Sequence, residues 1–361
     1  MSTDLFLPVG PSADDVADRL LAAQLGAHEL FAVYAGDRLG WYAALAAHGA
    51  SSSTELAERT GTDERYVREW LEHQAVAGYV TVDDDRRFTL TDGAREVLTD
   101  VDSPSFLAPL GRMQAASGRV VDDLVDAYRT GGGVSWERLG DDARTAQAAL
   151  NRPLFLGPLV EEVLPSIAVL HAMLRRGGRL ADVGCGQGWS SIAIAQAYPE
   201  SIVTGIDVDA PSIDAARANA SAVGVDVLFE HADAASVRGA RYDAVTFFEC
   251  VHDMADPVAV LAAARAMVRD DGYVLVADEA TQETFSAPAG PRERLFYGWS
   301  LSVCLPDGLS TSPSVATGTV MRPATLERYA RDAGFAGIEI LPVGLDLLRF
   351  YRLLMPVQDP R

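Results

Sequence analysis

Apolar residues recur at helical spacing near the start of the chain. Val16, Leu20, Leu21 and Leu25, then Leu30, Phe31 and Tyr34, make residues 13–48 read as helical. In SSSTELAERTG, Ser52 and Glu55 fit a capping box, and Gly61 fits a helix stop. TDERYVREWLEHQAVAGYV predicts the next helix, with Val67, Trp70, Leu71 and Val76 as its apolar stripe. VTVDDDRRFTLT then alternates around a DDD turn, the pattern of a two-stranded hairpin. Helix, turn, helix, hairpin is the order of a winged helix, assigned to residues 1–102. Residues 103–176 predict helices interrupted by the TGGG loop at 130–133 and by Pro153, Pro158 and Pro165. They read as a linker that contributes to a later pocket.

From 178 the period changes. RLADVGC, SIVTGIDVD, VDVLFEHAD, YDAVTFFECV and YVLVADEA are short runs rich in β-branched residues. Helical patterns lie between most of them, and in PVAVLAAARAMVRD the residues Val258, Leu261, Ala264 and Val268 share a face. Strands alternating with helices predict a parallel sheet covered on both sides. AGIEILPV and LRFYRLLM are separated only by GLDL, too short for a helical crossover. The last two strands must therefore form an antiparallel hairpin. The predicted fold is α/β: a Rossmann-like seven-stranded sheet over 177–361 with an antiparallel terminal strand, behind an α-helical winged-helix domain.

Composition narrows the chemistry. All thirty basic residues are arginine, and the formal net charge is −21. Without lysine there is no P-loop and no Schiff-base or pyridoxal chemistry. In residues 1–100, eighteen Asp and Glu face eight Arg, and the second helix of the winged pair opens on Asp63 and Glu64. A recognition helix would turn those acids toward phosphate, so no nucleic-acid partner is expected. No membrane span is expected either, and MSTDLFLPVGPSADD lacks the features of a signal peptide. Cys185, Cys250 and Cys304 are odd in number and form no CxxC, which with the missing signal peptide suggests a cytoplasmic protein.

The stretch LADVGCGQGWSS carries the ligand chemistry. Its pattern is D-x-G-x-G-x-G, from Asp182 through Gly184 and Gly186 to Gly188. A dinucleotide fingerprint fails because Trp189 stands where the third glycine should be. An acid before the turn would repel a pyrophosphate but suits a ligand with a cationic amino group. Asp207 ends the second strand, placed to accept ribose hydroxyls, and Asp233 follows the third, where it could accept from an adenine amine. An amino-acid tail, a ribose and an adenine together spell S-adenosylmethionine.

DVGCGQG, GIDVD, Asp233, YDAVTFF and the terminal antiparallel strand together resemble class I S-adenosylmethionine-dependent methyltransferases. The whole chain is similar to two-domain actinobacterial-type methyltransferases with an N-terminal winged helix. It also resembles the plant-type small-molecule O-methyltransferases and the α-keto acid C-methyltransferases. The resemblance implies S-adenosyl-L-methionine as cofactor, S-adenosyl-L-homocysteine as product, and a homodimer whose winged helix also caps the substrate site.

In this fold the fourth strand's end faces the methyl group, at ECVHDMADP. Glu249 joins the expected cofactor-binding set there. His-Asp-x-x-Asp resembles the O-methyltransferase stretch whose histidine is the general base. Carried over, His252 is the base, steadied by Asp253 or by Asp278, which takes the place of the family's first orienting acid. The second orienting acid falls near Met321, which cannot accept a proton. The α-keto acid group uses HD as two iron ligands with a later histidine; none follows His252, so no metal is expected. Residues 281–321 are read as a lid insertion in which Phe296, Tyr297 and Trp299 line a substrate wall.

The expected function is methyl transfer to a small-molecule hydroxyl. The alternatives are a transcription regulator that senses the cofactor without catalysis, an α-keto acid C-methyltransferase, and another use of the cofactor's charge.

Overall fold

The computed structural model describes residues 10–237, 239, 242–345 and 347–356. The first nine residues, part of the stretch read above for a signal peptide, lie outside them. The chain divides into two compact units, Met1–Ala115 and Ala116–Arg361.

The first unit opens with α1 (Ala13–Arg38), capped by a Ser12–Asp15 box, and α2 (Trp41–His48). The helical pattern is thus broken once, at Leu39–Gly40, where Gly40 takes a left-handed φ of 72°. The stripe on α1 is not core. Leu20, Leu21 and Phe31 are 67%, 62% and 69% exposed. Next come α3 (Ser53–Thr60) and α4 (Glu64–Val76). The Ser52–Glu55 capping box is present, and Gly61 ends α3 in the left-handed conformation. On α4, Val67, Trp70 and Leu71 are buried, but Val76 is almost fully exposed and leaves the predicted stripe. Strands β1 (Val80–Val82) and β2 (Phe88–Leu90) pair antiparallel, and α5 (Asp92–Thr99) follows. The core gathers on Trp70, whose ring lies 4.8 Å from Trp41 and 5.0 Å from Tyr42.

Helix α6 (Pro109–Arg119) carries the chain across the division, some residues beyond the 102/103 boundary drawn from sequence. Then come α7 (Val121–Thr130), α8 (Trp136–Leu139) and α9 (Asp141–Leu154). A π-helical stretch, Phe155–Val163, runs on from α9. Pro158 inside it has no N–H to give, so the regular ladder cannot continue there. Short α10 (Leu164–Ser166) and α11 (Ala168–Arg175) lead to the sheet.

The sheet alternates as the pattern predicts. Strand β3 (Arg179–Val183) leads to α12 (Trp189–Ala197), β4 (Ile202–Asp207) to α13 (Ala210–Val223), and β5 (Leu228–His231) to β6 (Tyr242–Phe248). Helix α14 (Pro257–Met267) precedes β7 (Val268–Glu279). Val268, assigned above to the helix face, is instead the first residue of β7 and pairs with Tyr242. Helices α15 (Pro291–Trp299), α16 (Leu305–Gly308) and α17 (Pro323–Asp332) follow, then β8 (Gly337–Leu345) and β9 (Leu348–Leu354).

Sheet order is β5-β4-β3-β6-β7-β9-β8. The first five strands are parallel, and β9 slots between β7 and β8, antiparallel to both. Side chains of β6 and β7 are buried almost continuously, as strands covered on both faces must be. One face packs Leu261, Ala264, Leu326 and Ala330 of α14 and α17. The other packs Phe155, Leu159, Leu170 and Ile194. Among the described residues no single helix is long and apolar enough to cross a membrane. The bent pair Asp141–Ser166 and Ala168–Arg175 passes by length and composition, yet its Leu159 and Leu170 lie in this core. The carboxyl ends of β3, β4, β6 and β7 gather on one edge, where ligands of open α/β sheets bind.

Candidate active site

The turn between β3 and α12 is built by three glycines, all at positive φ: 71° at Gly184, 51° at Gly186 and 82° at Gly188. They do different work. A Cβ on Gly184 would lie 2.7 Å from Cβ of Cys250, and one on Gly188 would lie 2.6 Å from the Phe229 ring. Those two close the turn against β6 and β5. A Cβ on Gly186 meets nothing within 4 Å, so this backbone faces open space. Its N–H donates to Asp207 Oδ2 at 2.8 Å, and Oδ1 of the same carboxylate accepts from Asp209 N at 2.8 Å. Asp207 therefore shapes the turn from the end of β4, and its burial raises its pKa.

Asp182, expected from sequence at the ligand's ammonium, is 1% exposed and accepts from Ser190 Oγ at 2.6 Å, Ser191 Oγ at 2.7 Å and Thr246 Oγ1 at 3.0 Å. The carboxylate ties the start of α12 to β3 and β6. Asp233 is exposed beyond β5 and caps a short 3₁₀ turn by accepting from Ala235 N at 2.9 Å.

Glu249 follows β6 in a left-handed backbone, φ 52°, that costs a non-glycine residue about 1–3 kcal/mol. Its Oε2 accepts from Gln147 Nε2 at 3.1 Å and Asn151 Nδ2 at 2.9 Å. Burial raises its pKa to about 7, against the Asn151 hydrogen bond, which lowers it.

Three residues on, His252 is 2% exposed. Asp278 stands where the sequence placed it: its Oδ1 lies 2.8 Å from Nδ1. Two further carboxylates converge. Glu279 Oε2 is 3.0 Å from Nδ1, and Asp253 Oδ1 is 3.2 Å from Nε2. Sequence reasoning missed Glu279, although it stands beside Asp278 at the end of β7. It occupies no position of the family's motif, so only the fold reveals it. Met321 is buried and contributes no acid, as anticipated.

These charges bear on the ring's protonation. Burial alone would lower the His252 pKa, but Asp253, Glu279 and Asp278 together hold it well above 6.5. The carboxylates thus favour the imidazolium, which has an N–H to give on each side. Its charge in turn holds Asp278 below the usual carboxylate range against burial, while burial drives Glu279 well above. Two trios have ligand atoms within 4.8 Å of one another and could hold a metal: His252, Asp253 and Cys304, or His252, Asp278 and Glu279. Both draw on the ring nitrogens, so a proton on either nitrogen competes with an ion there.

Within the insertion, Phe296 is buried, Trp299 is half-buried and Tyr297 is exposed, so the three do not form one wall. The rings of Phe296 and Trp299 lie 6.0 Å apart between centroids, tilted by 42°. The acidic Asp307 on α16, which sequence reading passed over, accepts from Trp136 N at 2.7 Å. Burial raises its pKa to about 7, and the nearby Asp253 charge adds to the rise.

Residues 180–272 match the family described as Methyltransferase domain, and residues 30–100 match the Rv2258c-like winged HTH domain. Over 168 residues the chain is 31% identical to the ubiquinone biosynthesis O-methyltransferase of Aromatoleum aromaticum, covering 46% of this chain and 67% of that one. The chain belongs to the S-adenosylmethionine-dependent methyltransferases. It is also 36% identical over 109 residues to the 27-O-demethylrifamycin SV methyltransferase of Amycolatopsis mediterranei, 29% of this chain and 40% of the relative. It spans about two fifths of the length of the first curated relatives it matches. The solved mitomycin 7-O-methyltransferase superposes with a TM-score of 0.72 at 22% identity, covering 96% of this methyltransferase and 100% of that chain. That likeness speaks for the fold.

Proposed function

We propose that this methyltransferase binds S-adenosyl-L-methionine at the glycine turn and transfers its methyl group to a hydroxyl of a small molecule. The observation that carries the reading is Gly186, whose backbone faces open space beside Asp207. A nucleoside with an amino-acid tail fits a cradle of bare backbone edged by carboxylates. Asp207 keeps lone pairs for ribose hydroxyls, Asp233 lies toward the adenine, and Glu249 takes the ammonium in place of Asp182. The cofactor supplies a methyl on a sulfonium, whose C–S bond breaks as the O–C bond forms.

The chain's own work is positioning and proton removal. His252 Nε2, on the side of Asp253, faces the reacting hydroxyl and accepts its proton once the ring is neutral. Asp278 fixes the ring through Nδ1, and Asp253 pairs with the imidazolium that forms. Because the ring's pKa is held high, the base form fills only at alkaline pH, or when a bound substrate perturbs the cluster.

A regulator that merely senses the cofactor is less well supported. On α4, Arg65 pairs with Glu69 and Arg68 with Glu64, while Arg86 of the hairpin pairs with Glu72. The cations a DNA-binding surface would need are already answered by acids. The exposed apolar face of α1 supports a homodimer formed through the N-terminal unit. Incubation with cofactor and pools of hydroxylated metabolites should accumulate S-adenosylhomocysteine together with a methylated product. Cofactor binding with no turnover across such pools, and a competitor-resistant gel shift on DNA, would move the reading to the sensor.

A further inference from the structure

Helix α9 touches the site from outside the sheet. At 100° per residue, positions 144, 147 and 151 fall within about 60° of one another on one helix face. Arg144, buried at 7% exposure, forks onto Asp209 with Nε to Oδ2 at 2.8 Å and Nη2 to Oδ1 at 2.9 Å. Asp209 N in turn donates to Asp207, whose other oxygen holds the N–H of Gly186. From Arg144 to the glycine turn the hydrogen bonds are continuous. One and two turns further along α9, Gln147 and Asn151 both donate to the same oxygen of Glu249. The guanidinium of Arg152 then lies 4.8 Å over the ring of Trp189, the residue that closes the turn. The face of Arg144, Gln147 and Asn151 thus reaches the carboxyl ends of β4 and β6, and Arg152, on another side of α9, reaches the start of α12.

We propose that this face of α9 is a clasp on the cofactor, with Arg144, Gln147 and Asn151 as positioning residues. They hold Asp207, through Asp209, and Glu249, directly, in the geometry that grips the ligand. The clasp rests on the S-adenosylmethionine reading above. Its physical basis is the cost of Glu249's placement: a half-buried carboxylate on a left-handed backbone has no reason to stay ionised and aimed without its two amide donors. Only Oε2 is used by those donors, which leaves Oε1 for a cation. The charged groups that act on Glu249 are His252 from its own loop, Asp253 beside it, and Asp278 from β7.

The test is S-adenosylhomocysteine affinity by calorimetry between pH 6 and 9 in the full chain. Asn151→Asp is isosteric and removes a donor while adding a like charge. Its Kd at pH 7.5 should rise at least tenfold, and the pH at which affinity is half-maximal should move upward. Gln147→Ala should do the same to a smaller degree. Arg144→Lys, which keeps the charge but not the fork, should weaken binding less than Arg144→Ala. A role in folding alone would lower Tm and leave the pH midpoint in place, and that outcome overturns the clasp, as does unchanged affinity in Asn151→Asp. Absence of binding by the wild type would instead overturn the cofactor reading, so the two failures are distinguishable.

Discussion

The glycine turn and the His252 cluster stand on the same edge of the same sheet, yet they are made in opposite ways. The turn is backbone. Its shape comes from three residues at positive φ, and its one open position, Gly186, works by having no side chain. The cluster is side chain: a buried cation among carboxylates from the 3₁₀ turn after β6 and from the end of β7. The backbone of the cradle tolerates almost no change and carries no titratable group. A charge cluster tolerates shape changes but responds to pH. The lesson is that the shape of the turn and the protonation of the ring are set by different parts of the molecule, with Glu249 as the group on which both act.

The largest expected effect is at the turn. Gly186→Val asks a β-branched residue to hold φ near 51° and puts methyl groups into the space kept for the ligand. S-adenosylhomocysteine binding by calorimetry should disappear, more than about 100-fold in Kd by this steric argument, with circular dichroism near wild type. Gly188→Val is the contrast. Its side chain would strike Phe229 and Ala216, so the fold itself should suffer and Tm should drop. Equal behaviour of the two variants would erase the distinction drawn between them.

At the cluster, His252→Gln should lower kcat by about 10²–10⁴-fold, the range for a general base, and change cofactor affinity far less, through the lost charge beside Glu249. The pH dependence carries the sharper test. The folded pKa of His252 lies well above its unfolded value near 6.5. The ring's contribution to stability is then complete below about pH 6.5 and is lost as pH rises through the folded pKa. Turnover needs the neutral ring, so it should rise through that same alkaline window. Activity gained and Tm lost together, both absent in His252→Gln, is the expected signature. A profile that rises near pH 6.5 would mean the carboxylates do not hold the proton.

Asp207→Ala should cost less, about 1.5–3 kcal/mol of cofactor binding for lost charge-assisted hydrogen bonds. Part of that loss is indirect, since Gly186 N would lose its acceptor. A weakening confined to ligands with an intact ribose diol would assign the loss to direct contact.

What the sequence made legible follows the same division. The fold was readable because period 2 and period 3.6 each leave a pattern, and because GLDL is too short for a crossover. The turn was readable because glycine spacing is local. The partners of Asp182, namely Ser190, Ser191 and Thr246, were not legible because Thr246 comes from a strand three crossovers away. Glu279 and the α9 contacts were invisible for that reason too: nothing in local spacing brings Asn151 to Glu249 or counts the carboxylates around one ring. Val76 shows the converse, an apolar residue in phase with a stripe but past the helix's buried stretch.

The smallest effect concerns the price the catalytic side extracts for its charge. Asp307 sits on α16, which packs against the turn that carries His252 and Asp253. Burial and the Asp253 charge raise its pKa to about 7 from the ordinary 3.8. The folded state therefore binds this proton more tightly than the unfolded chain does. As pH rises from about 4 through 7, the unfolded state sheds the proton first and stability falls. Above pH 7 the protein carries a partly buried carboxylate with one donor, Trp136 N. Asp307→Asn keeps an acceptor for that N–H and removes the charge. At pH 8 it should stabilise the fold by about 1–2 kcal/mol, well below the full linkage because the group is half-exposed. By calorimetry Tm should rise by a few degrees at pH 8 and stay level at pH 5, where Asp307 is already protonated. The same Tm change at both pH values would tie the effect to packing and take Asp307 out of the acidic cluster.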